Sequence, residues 1–318
     1  MPIANRTLTV VRGVRVGQAE TPDGSSGVTA VLFDTPAPTV VDVRGGASAT
    51  YDTASLSLDA TFGRRWAIFL SGGSLYGLDA ARGVRTRILE MGGGHRAFEN
   101  PNPVVPITGA ALFDLPMTRG GLPDYLPLGY EAARVASRAP VRTGRVGAGA
   151  GATVGKYLGR AHAMRGGTGS AGVRLPGFGA LGVLVAVNAV GAVRDPATGH
   201  WVAAARGRGG RLVPPGAATV GRSGSRGTTL AIVVTEATLD RPNLARLAAI
   251  VHAGLSAAIR PFHSSTDGDV LFAASTERLR PRADSRPGES ADRLGLEASR
   301  LAVLALLGAV RTANRLPR

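Results

Sequence analysis

Apolar and polar positions alternate along this chain in two recognisable periods. Residues 7–16, 28–33, 39–43 and 66–70 are rich in β-branched or aromatic side chains and bounded by Gly, Pro or Asp, which predicts strands. Across 78–91, Leu78, Ala81, Val84 and Ile88 recur at helical spacing, and Gly92–Gly94 ends the pattern. Residues 104–115 read as a pair of strands and 130–137 as a short helix. Residues 181–193 are apolar almost throughout except for Asn188, as expected of a strand covered on both faces.

Further along, residues 194–227 are polar and rich in Gly, Arg and Pro, which predicts a long exposed connection and the best place for a boundary. TTLAIVVT (228–235) is a strand. Residues 242–258 predict a helix with Pro242 in its first turn and Leu244, Leu247, Ala248, Val251 and Leu255 on one face. The D-G pair at 267–268 predicts a tight turn entering another strand. Residues 277–292 read as loop, and 291–312 as a last helix presenting Leu294, Leu301, Leu304 and Leu307. Strands and helices mixed without strict alternation favour layered α+β packing.

Composition narrows the class. The chain has 318 residues, 44% of them hydrophobic, enough to bury a core and too many for a disordered protein. No G-X-Y period runs through its 45 Gly and 20 Pro, which excludes collagen. The absence of Cys excludes disulfide frameworks, thiolate metal sites and a Cys nucleophile. The opening residues lack the basic-then-apolar signature of a signal peptide, and runs 181–187 and 301–310 are too short to span a bilayer. A cytoplasmic protein with no membrane partner is expected.

A net charge of +15 invites a nucleic-acid reading, but the arginines are scattered and aromatics are only 5%, so no stacking platform accompanies them. The acid-free stretch 196–235, with Arg206, Arg208, Arg211, Arg222 and Arg226, reads as a solvated loop, and no nucleic-acid partner is expected. More telling is that Lys156 is the only lysine among 37 basic residues. Arg cannot replace Lys where chemistry needs a compact charge with a tunable pKa, so Lys156 is a candidate functional residue.

Several familiar motifs fail. The segment before Lys156 resembles a phosphate-binding loop, but Ala150 and Tyr157 stand where Gly and Ser or Thr are required. Gly73-Ser74 belongs to a helix-start turn rather than a nucleophile elbow. The five His (95, 162, 200, 252 and 263) are too dispersed for a zinc hydrolase; His252 reads as a core histidine and His263 as support for the 267–269 turn. Two features remain: Thr228, where a long connection meets a buried strand, and the carboxylate pair Asp267 and Asp269 flanking Gly268.

DVRGGA (42–47), SGGSLYGLDAA (71–81), GAALFDL (109–115), GAGAGATVGK (147–156), VAVNAVG (185–191), GTTLAIVVT (227–235) and IRPFHSSTDGD (259–269) follow in this order. Together, over about residues 12–312, they resemble the P1-type, self-processing N-terminal-nucleophile hydrolases of peptidase family S58. That family includes L-aminopeptidase/D-esterases, β-peptidyl aminopeptidases and 6-aminohexanoate (nylon) oligomer endohydrolases; the motifs are most similar to the last group.

The resemblance implies a four-layer αββα sandwich in one domain (1–318), without metal or organic cofactor, and a homo-oligomer acting on peptides or amide oligomers. It implies autocleavage between Gly227 and Thr228 into chains 1–227 and 228–318, with Thr228 as nucleophile. By position, Lys156, Asn188, Asp267 and Asp269 fall on catalytic or processing residues. Asn188 would donate to an oxyanion, and the two aspartates would accept from Thr228 and Lys156. Gly227 stands where the oligomer hydrolases have Asn. Phe113 replaces their Tyr in the substrate pocket. An uncleaved structural or polyanion-binding protein, and an acyltransferase of the ornithine acetyltransferase kind, are the alternatives.

Overall fold

The computed structural model describes residues 6–96, 101–118, 121–216, 225–281, 286 and 288–316. Nine strands form one bent sheet: β1 (Val14–Glu20), β2 (Gly27–Val43), β3 (Ala49–Tyr51), β4 (Arg64–Ser71), β5 (Ile107–Ala111), β6 (Gly167–Leu175), β7 (Gly179–Asn188), β8 (Thr228–Ala237) and β9 (Val270–Leu279). Their order is β3-β5-β4-β2-β9-β8-β7-β6, with β1 and β9 sharing one edge of β2 in succession.

The bend comes from β2, whose 17 residues serve both halves of the sheet. Its first half pairs with β1 and β4, its second half with β9, and the register shifts between Leu32 and Ala37. Pro36 and Pro38 lie at this shift, where missing donors are tolerated. The two halves therefore face each other. Val31, Phe33, Ile68 and Leu70 of one meet Leu184, Ile232, Val234 and Phe272 of the other in a shared core.

Strand periodicity sends the alternate residues outward. Ala30, Leu32, Ala67 and Phe69 pack under α1 (Ala80–Glu90) and α2 (Tyr125–Arg134). Val183, Val185, Ala231, Val233, Leu271 and Ala273 pack under α3 (Arg241–Ser256) and α4 (Glu289–Asn314). The result is the expected α+β order of helix, sheet, sheet, helix. Among the described residues no helix is long and apolar enough to cross a membrane.

The structure corrects several local expectations. Residues 28–33 and 39–43 are one strand, not two. Within 7–16, Leu8–Val10 is a 3-10 turn, because Leu8 N–H donates to Ser170 Oγ (2.8 Å) instead of a ladder. Residues 104–115 hold one strand followed by the 3-10 turn Leu115–Met117, and the helix placed at 130–137 runs from Tyr125 to Arg134.

The run 181–193 breaks after Asn188. Gly191 lies against the backbone of Arg260 and Pro261, where a Cβ would not fit, and Ala192–Arg194 starts a small separate sheet. The connection 194–227 is not wholly exposed: Trp201–Ala203 is a strand and Ala203, Ala204 and Ala205 are buried. Arg222 lies outside the described residues, as does part of 277–292, where Glu277 already belongs to β9. Leu304 does not join the buried face of α4 and is 47% exposed.

Candidate active site

β8 is the middle strand of its half, antiparallel to β7 and parallel to β9, and all ten of its residues are buried. Thr228 is its first residue and stands directly across the ladder from Asn188, the last residue of β7. The preceding peptide is held on three sides. Gly227 N–H donates to Thr266 O (3.1 Å), and Gly227 O accepts from Gly268 N–H (3.0 Å) and from Thr228 Oγ1 (2.5 Å). A Cβ at residue 227 would overlap Asp267 Oδ1 and Val190 N, so only Gly fits here.

The turn before β9 supplies the carboxylates. Asp269 Oδ1 accepts from Thr229 N–H (2.6 Å), while Oδ2 accepts from His263 N–H (3.0 Å) and lies 2.9 Å from His263 Nδ1. Asp267 Oδ1 accepts from Val190 N–H (3.0 Å) and Oδ2 from Ser264 Oγ (2.5 Å). The DVRGGA segment braces this turn: Arg44 and Gly45 N–H donate to Asp269 O, and Ala47 N–H to Asp267 O. A Cβ on Gly45 would strike the backbone of residues 267–269, which explains the glycine.

Lys156 is buried beneath the ladder. Its Nζ donates to Asn188 O (2.6 Å) and Asn188 Oδ1 (2.9 Å). Burial brings its pKa down to about 7, with the Arg160 charge acting in the same direction and Asp267, Asp114 and Asp269 opposing. Burial also raises Asp267, and the neighbouring Asp269 charge adds to the rise. His252, the expected core histidine, is buried with Nδ1 2.8 Å from Asp42 Oδ2, and its ring packs edge-on against that of His263, 4.9 Å between centres.

All five expected residues thus come together, but two contacts differ from expectation. The aspartates accept from the backbone of Thr229 and Val190, whereas the Thr228 hydroxyl donates to its own preceding carbonyl. Asn188 Nδ2 is engaged with Phe113 O (2.9 Å), because its Oδ1 is turned towards Lys156 and Thr153 N–H. The donor facing the Gly227 carbonyl is instead the backbone of Gly268.

Asp114 was missed by sequence reasoning, although it is the lone acid in the apolar motif GAALFDL. It is 1% exposed, and its Oδ1 accepts from Gly73 N–H (2.7 Å). Its Oδ2 lacks a hydrogen bond of good geometry, and Ser26, engaged with Tyr125 Oη, stands beside it. Burial raises its pKa to about 6, against the pull of Gly73 N–H, Ser26 and Lys156.

Two cavities flank the site. One, of about 370 Å³, is lined by Ala47, Ser48, Ser74, Gly227, Thr228 and Thr266 among others. The second, of about 400 Å³, is lined by Asp114, Thr153, Lys156, Arg160 and Ser225 among others. Phe113 and Arg226 line both, and the Arg226 guanidinium lies 5.7 Å from the centre of the Phe113 ring.

The model of peptidase family S58 matches residues 6–317. An uncharacterized aminopeptidase of Mycobacterium tuberculosis is 37% identical over 289 residues, covering 85% of this chain and 81% of that one. A 6-aminohexanoate-oligomer endohydrolase of Kocuria sp. is 30% identical over 307 residues, covering 92% of this chain and 81% of that one. Among solved structures, the L-aminopeptidase D-Ala-esterase/amidase of Ochrobactrum anthropi, described as a variant of the Ntn hydrolase fold, superposes with a TM-score of 0.71. It has 21% identity and covers 96% of this chain and 85% of its own.

Proposed function

This chain belongs to peptidase family S58, and from that premise we propose that it is an amide hydrolase that cuts its own backbone before Thr228 and then uses Thr228 as the nucleophile. The observation carrying this reading is the arrangement around one peptide. Gly227 O is held on Gly268 N–H, the Thr228 hydroxyl lies against it, and Lys156 sits across the ladder on Asn188.

In the precursor, Thr228 Oγ attacks the Gly227 carbonyl carbon. The charge developing on Gly227 O meets Gly268 N–H, a fixed dipole of the oxyanion-hole kind. A threonine hydroxyl needs a base. Lys156, brought to about 7, is partly neutral at physiological pH and is suited to take the proton. The C–N bond to Thr228 breaks, the threonine nitrogen gains a proton, and an ester joins Gly227 to Oγ. Water hydrolyses that ester and releases chains 1–227 and 228–318.

The freed α-amine has an ordinary pKa of about 7.7–8.0, so a useful fraction is neutral near pH 7. It takes the proton from its own Oγ during turnover, directly or through water, while protonated Lys156 stabilises the substrate oxyanion. Asp269 fixes the strand start through Thr229 N–H. By analogy with an aminopeptidase and a 6-aminohexanoate-oligomer endohydrolase, the substrates are peptides or ω-amino-acid amides. Denaturing gels of wild type, Thr228→Ala and Thr228→Ser test the reading. Processing is expected in wild type, slowed in Thr228→Ser and lost in Thr228→Ala; a cut Thr228→Ala protein would refute the assignment.

A further inference from the structure

The acyl shift from Gly227 to Thr228 uses no histidine, yet two imidazoles stand one behind the other at Asp269. His263 binds Asp269 Oδ2 twice, through its backbone N–H (3.0 Å) and through Nδ1 (2.9 Å). An ionised carboxylate only accepts, so Nδ1 carries the proton. The ring stacks on Phe262, 3.8 Å between centres, and meets His252 edge-on at 4.9 Å. His252 is itself tied to Asp42, which Arg44 holds in turn (2.8 Å). His263 also has φ 58°, a left-handed backbone that a residue with a Cβ keeps only where its surroundings enforce it.

The carboxylate so held secures the start of β8. The parallel ladder between β8 and β9 begins at Leu230 and Val270. Before that point, on the β9 side, Asp269 Oδ1 accepts from Thr229 N–H (2.6 Å). In the uncleaved chain Gly227 adds a second hold on this side, through Thr266 O and Gly268 N–H. A cut before Thr228 severs that hold from the new N-terminus, which keeps its pairing with Asn188 on the β7 side and the Asp269 contact on the other. Asp269 is fully buried and lies two residues from the Asp267 carboxylate, so its charge depends on its donors. His263 supplies two of the three N–H groups that reach it, and Thr229 the third.

Resting on the reading that Thr228 is the nucleophile, we infer that His263 is a positioning residue for turnover: its Nδ1–H locks the Asp269 carboxylate in the orientation that seats Thr228 once the chain is cut. His263 acts through Asp269 and exchanges no proton in the cycle. Self-processing, during which Gly227 still anchors Thr228, depends on it weakly; amide turnover depends on it strongly.

Two variants separate the hydrogen bond from the ring. His263→Gly removes the side chain at a backbone angle that Gly adopts freely. His263→Asn tolerates the same angle and offers an amide N–H in place of Nδ1–H. Both lose the stack on Phe262, so the difference between them reads the donor. Denaturing gels follow processing, and glycyl-p-nitroanilide and a 6-aminohexanoate trimer give kcat and KM of the cleaved enzyme. His263→Gly is expected to process within about threefold of wild type, but to lose about ten- to hundredfold in kcat with KM within about twofold, the scale of a small misplacement of a reacting group. His263→Asn is expected to recover most of that kcat. If His263→Gly fails to fold by circular dichroism, His263→Ala takes its place in the same comparison. Wild-type kcat in His263→Gly, a loss carried by KM, processing impaired as deeply as turnover, or His263→Asn no better than His263→Gly overturns the proposal and leaves the Thr228 reading standing. Wild type inactive on both probes overturns the Thr228 reading and this proposal with it.

Discussion

Thr228 and Asn188 are cross-strand partners, and Asn188 holds the Lys156 ammonium through both its main-chain and side-chain oxygens. The ladder register therefore sets the distance between hydroxyl and amine. In Asn188→Asp the lysine keeps an acceptor and gains a counter-charge, which favours its protonated form. The Lys156 pKa then rises above about 7, and the rising limb of the pH–rate profile moves to higher pH. Processing rates measured between pH 5 and pH 10 on the purified precursor check the shift.

Lys156 also ties stability to pH. Its folded pKa lies near 7, below the ~10.4 of an unfolded lysine, so between these values the unfolded chain binds more protons. Stability rises with pH across that window as the burial penalty is relieved. Lys156→Met removes this slope. Urea unfolding at pH 7 and pH 9.5 should show wild type gaining on Lys156→Met at the higher pH.

Asp114 gives the opposite sign. Its folded pKa of about 6 exceeds the ~3.9 of an unfolded Asp, so its contribution is fully present below pH ~4 and lost as pH rises through 6. Asp114→Asn keeps the acceptor for Gly73 N–H and places an amide donor near Ser26 in place of a poorly bonded oxygen. The variant should unfold at higher urea than wild type at pH 8, with the difference shrinking or reversing at pH 4.5.

Gly227 is tested by size alone. Gly227→Ala puts a methyl group on Asp267 Oδ1 and Val190 N, an overpacking of the kind that costs about 1–3 kcal/mol. It also displaces the carbonyl from Gly268 N–H. Thermal unfolding should shift down, and the half-time of processing should lengthen at least tenfold on a densitometry time course, the effect of weakening one oxyanion donor by about 1.4 kcal/mol.

Much of this architecture was legible because burial follows period. TTLAIVVT became β8 and the Leu244–Leu255 stripe became the buried face of α3. β2 was not legible as one strand, since Pro36 and Pro38 read locally as ends while the sheet shift accommodates them. Residues 8–10 have strand composition but are claimed by Ser170 and the backbone of the 3-10 turn.

At the site, residue types announced Lys156, Asn188 and the Asp pair, each a lone polar group in an apolar or glycine setting. Asp114 offered the same signal within GAALFDL. What sequence could not give was direction: which way the Asn188 amide faces, and that a backbone N–H of Gly268 rather than a side chain meets the Gly227 carbonyl.

Intact-mass analysis of freshly purified full-length protein, with sequencing of any new N-terminus, tests self-cleavage most directly. The account predicts two polypeptides, of 227 residues and of 91 residues beginning at Thr228, in place of the 318-residue chain. A single 32.4 kDa species that persists at pH 7–8 while hydrolysing amides, or a cut at any other bond, would contradict it.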